Sequence, residues 1–306
     1  MPTDIADPFA SDSTDDAHPF RDFLRAYARS PIGVIGFVLL ALIALAAIFA
    51  PLLTPQNPYD LLQLDILDGQ LPPGETSMAH GYTYRLGTDD QGRDLFSAIL
   101  YGLRISLGVG VISATSAALI GATLGLFAAY RGGRVEAAIM RIVDLQLSFP
   151  TILMALMILA LLGKGIGNVI LALVLVEWAT FARTARGVGL VESRKEYIEA
   201  SAILGVPAWQ IMFRHLLPNC IPPLIVIATV QVARAISLEA TLSFLGVGVP
   251  ITEPSLGLLI SNGYQYMFSG MYWMSFFPGI ALLVTIVAIN LVGDRLRDVL
   301  NPRKDT

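Results

Sequence analysis

The chain has 306 residues, of which 55% are hydrophobic and 14% charged, with a formal net charge of −4. Soluble proteins carry roughly a quarter charged residues, and a mean hydropathy of +0.65 leaves too little charge to cover a 32.9 kDa globule. A soluble globule and a disordered chain are therefore excluded. The acidic balance argues against a nucleic-acid partner, which requires a concentrated basic patch. The single cysteine, Cys220, rules out an internal disulfide framework and a cysteine-based metal site. What remains is a single helical membrane domain, all-α in class.

In chain order, residues 1–20 hold Asp4, Asp7, Asp12, Asp15 and Asp16 without Lys or Arg, and read as a disordered acidic tail. Over 21–32 an amphipathic helix is expected on the membrane surface: Phe23, Leu24 and Tyr27, with Phe20 before them, share one face, and Arg21, Arg25 and Arg29 turn toward lipid headgroups. The apolar run 33–53 has the length of a first transmembrane helix, since about 20 residues cross the hydrocarbon core. It starts too far in and is too long for a cleavable leader, so it is expected to stay as an anchor. A large Pro- and Asp-rich loop fills 54–104. Five more spans are expected within a core at 105–293: 105–130, 145–163, 165–182 with Glu177 inside it, 221–247 with Arg234 and Glu239 inside it, and 273–293. The Tyr-, Phe- and Gly-rich stretch 261–272 reads as a re-entrant or interfacial piece, and 294–306 as a tail.

Fifteen of the twenty Lys and Arg fall in segments on one side of these six spans. Positive loops stay inside, so both termini, and the basic loop 183–219, are expected to be cytoplasmic, with 54–104 extracytoplasmic. That basic loop holds the most specific pattern in the chain. Residues 195–204 favour a helix, Gly205 breaks it, and Pro207 is placed to begin a second short helix running to Leu217. The small residues Ala200, Ser201 and Gly205 leave room for another protein to approach, although composition alone also permits an amphipathic linker lying on the bilayer.

The loop resembles the cytoplasmic signature of the membrane subunits of binding-protein-dependent ABC importers: Glu-Ala-Ala, three residues, Gly, nine residues, Ile, one residue, Leu-Pro. It stands here as Glu199-Ala200-Ser201, Gly205, then His215, Leu217 and Pro218, with Ser201 for Ala and His215 for Ile. Further stretches are similar to the peptide/nickel branch, and within it to the C-type subunit of dipeptide and oligopeptide permeases. These are 86–94 with 101–107, Met140-Arg141-Ile142-Val143-Asp144 with Phe149-Pro150, 239–248, and 293–302, where Arg295 replaces a usual Gly and Asn301 a usual Asp. The resemblance implies the six-helix, MetI-like type I permease fold and a non-enzymatic transport role at the bacterial inner membrane. It also implies a second, B-type permease subunit, two cytoplasmic ABC ATPases and an extracytoplasmic solute-binding protein as partners. Tyr197, Glu199, Ala200, Ser201, Leu204, Gly205 and Pro207 are then the candidate ATPase contacts.

No phosphate-binding loop is present, because the only Gly-Lys pair, Gly163-Lys164, is followed by Gly165. No cofactor is expected on this chain, and ATP and Mg would sit on the partner ATPases. Among the ionisable residues in the spans, Glu177 is expected to be solvated near the inner interface. Arg234 and Glu239 lie five apart, so they need not pair; each has the choice of lining a polar substrate path or bonding a neighbouring helix, and the second is favoured. An ion-coupled secondary transporter using Glu177, Arg234 and Glu239 is the alternative reading. No catalytic set emerges, and His18, His80 and His215 are too scattered for a metal site. Gly110, Ala114, Ala118 and Ala122, with Gly121 and Gly125, suggest close helix packing, and Cys220 a space-filling role near a helix end.

Overall fold

A computed structural model describes residues 19–77 and 81–300. The acidic tail through His18, His80 and the last six residues lie outside it. All described regular structure is helical. Helix α1 (Pro19–Ala28) leads into α2 (Pro31–Ile48), whose start is set by Ser30, whose side chain accepts from the Gly33 amide, and by Pro31 in the first turn. The amphipathic helix thus begins two residues earlier than the sequence suggests and ends at Ala28. The first span is likewise shortened, since Phe49 interrupts it before a single turn, α3 (Ala50–Leu53).

Residues 54–77 and 81–94 fold into a cap of turns held by buried polar groups. Asp68, fully buried, accepts from the Ser77 hydroxyl at 2.5 Å and the Tyr84 hydroxyl at 2.8 Å, and its backbone carbonyl accepts from Thr88 at 2.6 Å. Asp94 then caps α4 (Leu95–Arg131) by accepting from the Ser97 amide at 2.9 Å. The helix therefore begins ten residues before the expected span. With 37 residues it is about 55 Å long, well beyond a hydrocarbon core of about 30 Å, so its first turns are part of the cap.

The expected third span, 145–163, is not one helix. Pro150 cannot continue the preceding turn, and α5 (Gly133–Ser148) meets α6 (Thr151–Leu162) at a bend of 93°. Counting that pair as one crossing gives six spans; counting single long apolar helices gives five. The fourth, α7 (Ile166–Glu192), runs ten residues past its expected end, so that 183–192 is helix rather than loop.

After α8 (Glu196–Ile203) the expected separate second helix does not form. Residues Ala208–Phe244 are one continuous helical run: α9 (Ala208–Gln210), a π-helical turn (Ile211–Leu216) and α10 (Leu217–Phe244). The fifth span therefore begins well before residue 221 and ends three residues short of 247. Cys220 lies inside this run, fully buried, rather than near a helix end. Then α11 (Leu256–Tyr264) starts before the expected re-entrant stretch, and α12 (Trp273–Leu300) absorbs seven residues of the expected tail.

Small residues set the packing at the centre, where α4 touches most of the other long helices. A Cβ on Gly121 would lie 2.3 Å from the Trp178 carbonyl, and one on Gly125 2.3 Å from the Ala182 carbonyl, so α4 and α7 meet backbone to backbone. A Cβ on Gly110 would strike Ile236 of α10 at 2.5 Å. On the flank, Gly33 and Gly36 admit α2 against Arg295 and Leu291 of α12. Arg295 donates to the Ala26 and Tyr27 carbonyls, which brings α1 and the last turns of α12 to the same end of the bundle. The ends of α4 and α7 and the loop holding α8 lie at that basic end, tied by Arg186 to Glu136 and by Arg183 to Asp144 at 2.5 Å.

Candidate functional site

At the basic end α8 hangs from the bundle by one apolar peg. Ile198 is 3% exposed and packs in the cluster of Phe181, Ile211, Met212, Leu216 and Cys220. Polar ties fix its start: Lys195 pairs with Glu192 at 2.8 Å, the Tyr197 hydroxyl donates to Glu192 at 3.2 Å, and Asn219 donates to the Tyr197 oxygen at 3.0 Å. Burial, then the bond to Glu192, raises the Tyr197 hydroxyl above its ordinary value. At the other end the Val206 amide bonds the Ser201 carbonyl at 3.1 Å across Gly205, which has φ +77°. That is a glycine-terminated helix stop, which a residue with a Cβ adopts only under strain.

These ties leave the remaining candidates facing outward. Glu199, Ala200, Leu204, Gly205 and Pro207 are exposed, Ser201 is half-buried with its hydroxyl returned to the Tyr197 carbonyl at 2.7 Å, and Tyr197 is 40% exposed. Beside Leu204, sequence reasoning missed the other apolar residues of this surface, Ile203, Trp209 and Phe213. Ile203 at 85%, Leu204 at 81% and Trp209 at 65% exposure, with Phe213 one turn beyond Trp209, are bare apolar side chains at the basic end. The signal that would have found Trp209 and Phe213 is their i, i+4 spacing, which puts two aromatics on one helical face.

Within the spans, Arg234 and Glu239 do not meet. Glu239 is fully buried and accepts from the hydroxyls of Ser106 on α4 and Ser243, each at 2.8 Å, and from Ser255, which caps α11. It thereby joins three helices. Arg234 is exposed and donates to the Thr151 hydroxyl at 2.8 Å, at the first residue of α6. It shares a face of α10 with Val230, Ser237, Thr241 and Leu245, all of them at least partly exposed. The expectation that Glu177 is solvated is corrected: it is 2% exposed, because α7 continues past residue 182 and carries it well inside the bundle.

This architecture of long spans around a central helix, with a short helix presented at the basic end and no strand among the described residues, defines a polytopic helical membrane protein. Residues 121–306 match the family model for the inner membrane component of binding-protein-dependent transport systems, and 18–73 match the N-terminal transmembrane domain of oligopeptide transport permease C. The chain belongs to this family: it is a transmembrane permease subunit of an ABC importer. The dipeptide transport system permease protein DppC of Alkalihalophilus pseudofirmus is 36% identical over 93% of this chain and 90% of its own length. A putative peptide transport system permease of Brucella suis is 40% identical over 88% and 87%, and the glutathione transport system permease GsiD of Pectobacterium atrosepticum 36% over 93% and 91%. Among solved structures, an inward-facing MetNI methionine ABC transporter shares the fold, with a TM-score of 0.54 and 22% identity over 67% of this chain and 96% of that one. Family membership replaces the ion-coupled secondary transporter reading.

Proposed function

We propose that the chain is one half of the translocation path for dipeptides, oligopeptides or a chemically related small solute such as glutathione. The other half is a B-type permease. Two ABC ATPases, which carry the ATP and Mg, dock on the loop around α8, and an extracytoplasmic binding protein delivers the solute over the 54–94 cap. The basic end, with both termini, faces the cytoplasm, as the concentration of Lys and Arg there supports. Relatives that span nearly the whole chain and are named for peptides and glutathione support the solute class.

The observation that carries this reading is the join between dock and span. Tyr197, Glu199, Ala200, Ser201, Leu204, Gly205 and Pro207 sit on an outward-facing loop, and residues Ala208–Phe244 continue from it as one helix. Displacing α8 by a closing ATPase pair would move α10 as a lever, and with it the face bearing Arg234, Ser237 and Thr241. That face is assigned to the solute path, and Glu239 to holding α4, α10 and α11 together. The test is reconstitution of the complex with Gly205→Pro or Glu199→Arg. Proline cannot adopt φ +77°, so the helix stop is lost. Membrane insertion should be normal, while ATP hydrolysis uncouples from uptake or the ATPases dissociate. Normal coupled uptake by both variants overturns the docking assignment.

A further inference from the structure

Glu177 presents both carboxylate oxygens to the bundle interior without a hydrogen-bond partner among the described residues. It is not alone. The Ser113 hydroxyl on α4 and the Gln231 amide nitrogen on α10, 0% and 3% exposed, are also unpartnered. Packing register sets two of them at one depth. Gly110 lies against Val232 and Ile236, so Ser113, one turn on, is level with Gln231 on the antiparallel α10. Thr180, one turn from Glu177, and Gln231 line one cavity that runs along α10 from Pro222. Two donors and a two-oxygen acceptor therefore stay unbonded inside the bundle. At membrane depth an unmade set of this kind is costly, and it persists where another arrangement of the same helices makes it.

Arg234 supplies that arrangement. It sits one turn beyond Gln231, attracts Glu177 electrostatically, and yet spends its hydrogen bond on Thr151, across the break between α5 and α6. The helix bearing it is the lever described above, and its lower part, with a π-helical turn followed by Pro218, Pro222 and Pro223, lacks several regular backbone bonds. Resting on the alternating-access reading, we propose that Glu177 is a second seat for the Arg234 guanidinium, so that Arg234 alternates between Thr151 and Glu177 as α10 shifts against α7. Glu177 is thus a positioning residue for transport and touches no solute.

The test uses the full complex in proteoliposomes, with Cys220→Ala removing the native thiol and Thr241→Cys reporting on the exposed face of α10. The rate of labelling by a membrane-impermeant maleimide is read without nucleotide and in an ATP-trapped state. Glu177→Gln weakens one seat and Thr151→Val removes the other, so they should move the nucleotide-free rate in opposite directions, by about threefold each if one interhelical bond is at stake. Glu177→Asp, which keeps the charge at shorter reach, should follow Glu177→Gln with a smaller change and serves if the latter fails to assemble. Shifts in the same direction, or none, overturn the two-seat proposal. A parent reporter whose labelling is identical in both nucleotide states overturns the alternating-access reading itself, so the two failures are distinguishable.

Discussion

Removing the carboxylate at Glu239 separates a structural role from a transport role. The side chain is fully buried and gathers hydroxyls from three helices, with Ser106 and Ser243 at 2.8 Å and Ser255 as the third. Interhelical hydrogen bonds in membranes are worth about 0.6 to 1.7 kcal/mol each. The two interhelical bonds lost in Glu239→Ala, to Ser106 and Ser255, therefore cost about 1–3 kcal/mol, before the bond to Ser243 on the same helix and any cavity left by the lost side chain. The lower part of that range is the better expectation, because freed serine hydroxyls can turn to the carbonyl one turn back, as Ser237 does toward Ala233 at 2.9 Å. Glu239→Gln keeps an acceptor oxygen and should lose only about 1 kcal/mol. The assay is thermal stability of the purified complex in detergent, read by size-exclusion recovery, beside uptake normalised to the surviving folded fraction. The expected result is a marked loss of stability with near-normal normalised uptake. A Glu239→Ala complex as stable as the parent but unable to transport would refute the reasoning and place Glu239 in the path.

Other consequences follow from the packing and the cap. Gly121→Val drives a side chain into the Trp178 carbonyl and should cost at least about 3 kcal/mol or prevent assembly. Gly108→Ala on the same helix meets nothing within 4 Å and should be neutral or up to about 1 kcal/mol stabilising, both read by the same thermal assay. In the cap, burial pushes the Asp89 carboxyl up to about 6 from an ordinary 3.8, against the pull of Arg93 at 4.0 Å and the Arg93 and Gln91 amides. A folded value above the unfolded one means the proton favours the folded state, so this contribution is fully present below about pH 4 and is lost as pH rises through 6. Burial raises Asp94 in the same direction. Hydrogen exchange of amides 87–95 should therefore speed up relative to its intrinsic rate between pH 4 and 6.5, and Asp89→Asn should flatten that dependence; a cap that tightens over this interval contradicts the sign. Finally, Trp209→Ala should weaken ATPase retention on the purified complex without changing thermal stability by more than about 0.5 kcal/mol, because the ring is exposed in the isolated chain.

Sequence alone determined what depends on composition and local pattern. Apolar runs long enough to cross a bilayer and a charge asymmetry between their ends lead to a polytopic helical protein, because a helix satisfies its own backbone in hydrocarbon, and the Glu-Ala-Ser…Gly…Leu-Pro spacing added the resemblance to importer subunits. Gly205 was legible as a helix stop because αL geometry is a local property of the chain. Tertiary structure alone decided how far each helix runs and what its polar residues meet. Charge-free windows locate only the lipid-depth part of a helix, so α4 and α7 were undershot by about ten residues each, where a cap or a basic loop solvates the remainder. Pro207 looked like the start of an independent short helix, and only contact of Ile211, Met212 and Leu216 with α4 and α7 fixes the π-helical turn that welds it to α10. The fates of the three ionisable residues in the spans were equally beyond the one-dimensional pattern. Whether a charge at membrane depth is solvated, bonded or left waiting depends on which helices lie beside it, and that put Glu239 among serines, Arg234 on an open face and Glu177 inside the bundle without a hydrogen-bond partner among the described residues.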